Sequence, residues 1–329
     1  MHFKKKIHTR KRYAPGEVKP KLHPRNKHRE RYDFKALCDS CPELYQYVKP
    51  NAYGDISIDF FNPKAVRALN KALLMHYYDI VDWDMPENYL CPPVPGRADY
   101  IHHMADLLKS SSNDQIPRGA AIKCLDIGVG SSCIYPIIGV KEYGWSFIGT
   151  DIDEVAISSA DKIIASNPTL TNKVEIRYQR NPNDIFAGIL KHDEYLDLVV
   201  CNPPFHSSAE EAQAGTRRKL KNLKGKKVTN PKLNFGGQSG ELWCEGGARK
   251  FLGDMIRQSK QYSTSCFWYS SLVSKQSYVT GVIEVLNKAQ AVDVRTIAMG
   301  QGNKTSQIIA WTFLTPDQQA QWIEHRWSG

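Results

Sequence analysis

No apolar run in the 329 residues approaches the ~20 residues that cross a bilayer, which argues against a membrane-spanning helix. The N-terminus is charged and no apolar stretch follows it, so no secretory leader is expected. The eight cysteines form no paired framework. Cys38 and Cys41 make one C-x-x-C, with no second pair at zinc spacing. Reduced thiols, a cytoplasmic location and no metal are therefore expected.

Acidic residues are scarce in two stretches. Residues 1–31 hold twelve of the 44 Lys and Arg but only two of the 34 Asp and Glu. The remaining chain then has 32 of each sign, so the whole net charge of +10 sits in this arm. A second block, "TRRKLKNLKGKKVTNPK" at 216–232, carries eight Lys and Arg and no acid. Such segments are too charged to pack a core. A solvated tail and loop would explain them, but two blocks of one sign favour a polyanion partner through phosphate contact and counterion release. Lys4, Lys5, Lys6, Arg10, Lys11, Arg12, Arg217 and Arg218 are the candidate phosphate contacts. Neither block has the bulky apolar face of a membrane-surface helix.

The chain divides into a basic, flexible arm (1–31), a mostly helical extension (32–115) and an alternating strand–helix region (116–329) with a basic insert at about 206–240. In the extension, Asn62 and Pro63 open a helix on which Val66, Leu69, Leu73 and Tyr77 recur at helical spacing. From residue 120, strands "AIKCLDIG", "WSFIGTDID", "VEIRYQ" and "LDLVV" alternate with helices. Two late strands around "GQGNKT" read as a hairpin. This order predicts an α/β, Rossmann-type fold: a doubly wound, mainly parallel sheet with an antiparallel hairpin at its end.

"LDIGVGSSC" sets Asp126, Gly128 and Gly130 where the first strand turns into a helix. Glycines there let a ligand approach the backbone. The third glycine of a dinucleotide fingerprint is missing, because Cys133 occupies its place, which argues against NAD or FAD. The next strand ends in Asp151, with Asp153 two residues on, at the distance of a ribose-binding acid. A D-x-G-x-G turn with such an acid looks like the S-adenosylmethionine (AdoMet) site of Rossmann-type methyltransferases.

The fourth strand ends in Asn202-Pro203-Pro204-Phe205. The first and fourth strands of a doubly wound sheet flank its ligand-binding crevice. A strand-terminating turn would explain one proline. It does not explain an Asn, two prolines and an aromatic together. An amide or exocyclic amino nitrogen is a poor nucleophile, so it needs two acceptors that hold its hydrogens. The Asn202 side-chain oxygen and the Pro203 carbonyl can serve. Fixed proline φ angles preorganise them, and Phe205 can stack on a planar base. The motif suits N-methylation of adenine, guanine or a glutamine amide. An adenine inside a duplex would have to be single-stranded or flipped.

With "SIDFFNPKAVRALNKALL", "PPVPGRADYIHH", "LDIGVGSSCIYPIIG", "CNPPF", "EGGARKF", "WYSSLVSK" and "GQGNKTSQIIAWTF", the chain resembles the bacterial ribosomal large-subunit RNA adenine-N6-methyltransferase F family, itself related to the eukaryotic methyltransferase-like sixteen protein. The resemblance runs from about residue 30 to the C-terminus. It implies AdoMet at Gly128 and Gly130, Asp151 at the ribose, and Arg97 on the methionine carboxylate. It also implies Asn51 closing the adenosine or target pocket and Asn181 at the cofactor adenine. The implied partner is ribosomal RNA or an assembling large subunit. Two alternatives stand beside it: glutamine N5-methylation of a translation factor, and a non-catalytic RNA-binding assembly factor with this fold.

Overall fold

The structure is a computed structural model and describes residues 19, 21–204, 244–301 and 304–327. A seven-stranded sheet has the order β5-β4-β3-β6-β7-β9-β8. Its strands are β3 (Lys123–Ile127), β4 (Ser146–Asp151), β5 (Val174–Tyr178), β6 (Leu196–Cys201), β7 (Cys266–Val273), β8 (Asp293–Gln301) and β9 (Lys304–Thr312). β3 to β7 pair in parallel, while β9 is antiparallel to both β7 and β8. The mainly parallel doubly wound sheet and its end hairpin agree with the sequence pattern.

Strand alternation separates two cores. Cys124, Leu198 and Val200 face one, and Leu125, Ile127, Val199 and Cys201 face the other. The first core is covered by α2 (Pro63–Tyr78), α3 (Val94–Ser111), α4 (Ile134–Tyr143), α5 (Glu154–Ser166) and a C-terminal helix α8 (Pro316–Arg326). The second is covered by α6 (Gly247–Gln261) and α7 (Gln276–Lys288). Helices on both faces are what a parallel sheet requires. α2 starts as its residues dictate: the Asn62 side chain accepts the Lys64 N–H, and Pro63 occupies the first turn.

The extension also holds α1 (Phe34–Ser40) and two short antiparallel strands, β1 (Val48–Pro50) and β2 (Ile56–Ile58). It shares one core with the sheet: Leu69, Tyr100 and Met104 pack in the same cluster as Cys124 and Leu198. Cys38 and Cys41 are buried there.

The arm ends earlier than its charge suggests. Leu22, His23, Asn26 and His28 are buried. Arg25 donates to Asp106 and to the Tyr143 hydroxyl, Lys27 pairs with Glu142, and Arg31 pairs with Asp55. Part of the basic excess is thus neutralised within the fold. Lys4, Lys5, Lys6, Arg10, Lys11, Arg12, Phe205, Arg217 and Arg218 lie outside the described residues. No helix among the described residues is long and apolar enough to cross a membrane.

Candidate active site

A cleft of about 450 Å³ opens at the carboxyl ends of β3, β4 and β6. A second, shallow depression of about 530 Å³ is lined by Glu154, Ile157, Asp161 and Tyr178 and shares no lining residue with the cleft. The cleft is the chemically equipped site.

Its floor is the glycine turn. Gly128 (φ +72°) and Gly130 (φ +64°) occupy the left-handed region that side chains rarely adopt. A Cβ on Gly128 would meet nothing within 4 Å, so open space lies there. The Gly128 and Val129 N–H groups both donate to the Thr150 carbonyl at 2.9 Å. The Gly130 N–H donates to Asp151 Oδ2 at 3.0 Å, and the Asp153 N–H to Oδ1 at 3.1 Å. Burial raises the Asp151 carboxyl above its ordinary range, against those N–H donors. Asp153 caps α5 and accepts the Tyr89 hydroxyl, so its acceptors are already engaged. Cys133 adopts φ 52° at the start of α4, making the left-handed turn without a glycine.

Beneath the turn lies Asp126. It is fully buried, and neither carboxylate oxygen has a hydrogen-bond partner among the described residues. Burial pushes its carboxyl well above the ordinary range; nearby Arg97 opposes this and Asp151 adds to it. Arg97 comes from the first turns of α3, where its charge opposes the helix dipole. It is 9% exposed, lines the cleft and donates to the Tyr135 hydroxyl at 2.8 Å. A buried orphan carboxylate beside a guanidinium suits a zwitterionic ligand group.

Beside the glycine turn, where the neighbouring strand β6 ends, stand Asn202, Pro203 and Pro204. Asn202 Oδ1 is buried and has no hydrogen-bond partner among the described residues. The lining thus carries an acceptor where the fourth strand ends, next to the glycine turn. The lining thiols do not offer thiolates, because burial raises both Cys201 and Cys244. No histidine lines the cleft among the described residues. The Asn202 oxygen is an acceptor that can position a donor, and the ionisable groups on the lining include Asp153, Asp184, Glu245, Lys250 and Asp254.

Arg97, Gly128, Gly130, Asp151 and Asn202 therefore meet in one cleft, with Asp126 just below. Two other candidates do not reach its lining. Asn181 is exposed, donates to Asp184 and accepts the Asn183 N–H. Asn51 is exposed and its side chain accepts the Tyr53 and Asp55 N–H groups in a turn. Sequence reasoning missed Leu90, Pro92, Gln179, Pro182 to Ile185, Lys250, Phe251 and Asp254 on the lining. The "EGGARKF" stretch was the one signal that pointed near Lys250 and Phe251.

Comparison with known proteins agrees with this geometry. A family described as RNA methyltransferase matches residues 16–315. Ribosomal RNA large subunit methyltransferase F of Cytophaga hutchinsonii is 59% identical over 310 residues, spanning 94% of this chain and 96% of its own length. The protein of that name from Yersinia enterocolitica is 55% identical over 318 residues, spanning 96% and 95%. Among solved structures, the hMettl16 catalytic domain in complex with MAT2A 3′UTR hairpin 6 aligns with a TM-score of 0.73 and 28% identity, over 90% of this chain and 98% of that one. The N-terminal domain of human METTL16 in complex with SAH aligns with a TM-score of 0.70 and 27% identity, over 89% and 99%.

Proposed function

The chain belongs to the RNA methyltransferase family matched over residues 16–315, and from that premise we propose that it methylates N6 of an adenine in large-subunit ribosomal RNA, using AdoMet. The observation that carries the reading is the buried Asn202 Oδ1, unpartnered among the described residues, on the cleft lining beside the glycine turn. The names of the bacterial relatives support the substrate class. The SAH-bound neighbour supports the cofactor, since SAH is what AdoMet becomes on losing its methyl.

The residues present fit AdoMet. Asp126 lacks a partner that a ligand ammonium would supply. Arg97 is the cation for a ligand carboxylate, Asp151 the acceptor for ribose hydroxyls, and the space above Gly128 is open. When bound, AdoMet supplies an electrophilic methyl on a sulfonium. Asn202 Oδ1 and the Pro203 carbonyl accept the two hydrogens of the adenine amine and so fix its nitrogen toward the cleft. The delocalised amine gains reactivity from this orientation rather than from a base. Its proton leaves after transfer. The basic arm and insert hold the RNA backbone, as free RNA or in an assembling subunit.

Replacing Asn202 removes the acceptor and little else. Asn202→Ala should lower methyl transfer from labelled AdoMet by about 100-fold or more, with AdoMet affinity within a few-fold of wild type. The substrate is ribosomal RNA from cells lacking this protein. Turnover near wild type in that variant would refute the amine clamp.

A further inference from the structure

β6 and β7 part just before the clamp. Their ladder runs through Leu198↔Trp268 and stops at Val199↔Tyr269. β6 continues to Cys201 on the β3 side alone, and β7 continues to Val273 on the β9 side alone. The last two residues of β6 therefore lose their backbone neighbour on one edge, immediately before Asn202. A strand end without a partner on one edge is free to shift, and a buried backbone group left unpaired is costly.

Two side-chain hydroxyls bridge from the last ladder residue, Val199, to Cys201, unpaired on the β7 side. Ser270 Oγ donates to the Val199 carbonyl at 2.7 Å. The Cys201 N–H donates to Tyr100 Oη at 3.2 Å. Tyr100 Oη and Ser270 Oγ are 2.9 Å apart. Each hydroxyl has one proton. With the Ser270 proton on Val199, the Tyr100 proton goes to Ser270. The direction of the chain is thereby set: Cys201 N–H to Tyr100, Tyr100 to Ser270, Ser270 to Val199. The Cys201 carbonyl, 3.4 Å from Tyr100 Oη, is the weaker acceptor. Tyr100 and Ser270 are both fully buried, so water does not compete.

Tyr100 comes from α3, one turn beyond Arg97. Its ring meets Tyr135 edge-on at 5.3 Å, and Tyr135 accepts the Arg97 hydrogen bond. One helix thus braces the strand end beneath Asn202 and carries the cation of the cofactor side.

We propose that Tyr100 and Ser270 are positioning residues for methyl transfer: their hydroxyl chain replaces the missing β6–β7 ladder and holds Asn202 and Pro203 at the spacing the amine requires. The inference rests on the amine-clamp reading. A shift of about 1 Å in a reacting geometry can cost about 100-fold, so the effect belongs in kcat and not in binding.

The test uses the full chain, labelled AdoMet and ribosomal RNA from cells lacking this protein. Tyr100→Phe keeps the ring and removes only the hydroxyl. It should lower kcat by about 10- to 100-fold, with AdoMet and RNA dissociation constants unchanged within about two-fold. Hydrogen exchange at the Cys201 amide should quicken while exchange in β3 and β4 does not. Ser270→Ala should lower kcat less, because Tyr100 can turn its proton to the Cys201 carbonyl. The double variant should be no worse than Tyr100→Phe. If Tyr100→Phe fails to fold, Ser270→Ala carries the same kcat and exchange readouts. Wild-type kcat in these variants, or equal losses in kcat and both affinities, overturns the proposal. Asn202→Ala in the same assay separates the two claims. An active Asn202→Ala refutes the clamp itself. An inactive Asn202→Ala beside a wild-type Tyr100→Phe refutes only the brace.

Discussion

At the scale of single residues, the site is built from polar atoms left unsatisfied. A buried carboxylate without partners destabilises the ligand-free fold, because its charged form has lost water and gained nothing. Asp126 is in that position. Its folded carboxyl titrates above its unfolded value, so stability is lost as pH rises from the ordinary carboxylate range up through the raised folded one. Asp126→Asn removes the charge and keeps the shape. It should raise the Tm of the ligand-free protein by a few degrees and shrink the further rise caused by AdoMet. A lower ligand-free Tm with an undiminished AdoMet shift would contradict this role. Asp126, Asp151 and Asn202 were legible in the sequence because each belongs to a short contiguous motif. Tyr100 and Ser270 were not. They are separated by 170 residues from each other along the chain, and neither "DYIHH" nor "WYSSL" states which strand it touches.

At the scale of elements, the segment from Leu22 to His28 shows how a basic stretch becomes structure. His28 is fully buried between the Tyr78 hydroxyl and that of Tyr32. His102 is bonded to Tyr143 and stacked on His23. Burial, reinforced by Lys19 and Lys27, holds His28 down at about 3. Burial, with His23, Arg25 and Lys27 against Asp106, holds His102 at about 3, and burial with His23 holds His103 at about 4. All three are depressed from the ordinary value of 6.5. They therefore stabilise the fold fully above pH 6.5, and that contribution is lost as pH falls from 6.5 toward about 3. Thermal melts from pH 7.5 to 4.5 should show Tm falling in this window, and His28→Gln should make the fall shallower. A Tm that is flat from 6.5 to 4.5 would contradict the assignment. The strands of the main sheet and most helices were legible from period and caps. β1, β2 and α8 were not: the strands have three residues each, and α8 buries only Trp322.

At the scale of the whole molecule, one carboxylate ties the C-terminus to the sheet. Asp197 in β6 is fully buried. It accepts the Trp322 and Trp327 indole N–H groups at 2.7 Å, the Lys123 N–H at 2.7 Å, and Arg326 at 3.1 Å. Asp197→Ala strands two indoles, a backbone N–H and a guanidinium. It should cost about 3–5 kcal/mol in urea unfolding, well away from the cleft and with no direct effect on AdoMet affinity in the protein that remains folded. A loss below about 1 kcal/mol would show that the anchor is dispensable. β6 thus carries the anchor near its start and the clamp just past its end. Its hydrophobic run announces a buried strand, but not that both ends serve different purposes.

The sequence by itself determined the succession of the main-sheet strands, the glycine turn, the terminal acid and the Asn-Pro-Pro segment, because each depends on neighbours within a few residues. Backbone periodicity and proline and glycine geometry are local properties, and they are written in local order. Only the tertiary structure decided that Asp126 and Asn202 Oδ1 are orphaned, that the arm begins to pack at Leu22, and that Tyr100 reaches the end of β6. Burial and hydrogen-bond satisfaction depend on which distant segments close over a group. The same depth of packing that removes water from these atoms is what makes an unpaired acceptor available to a ligand.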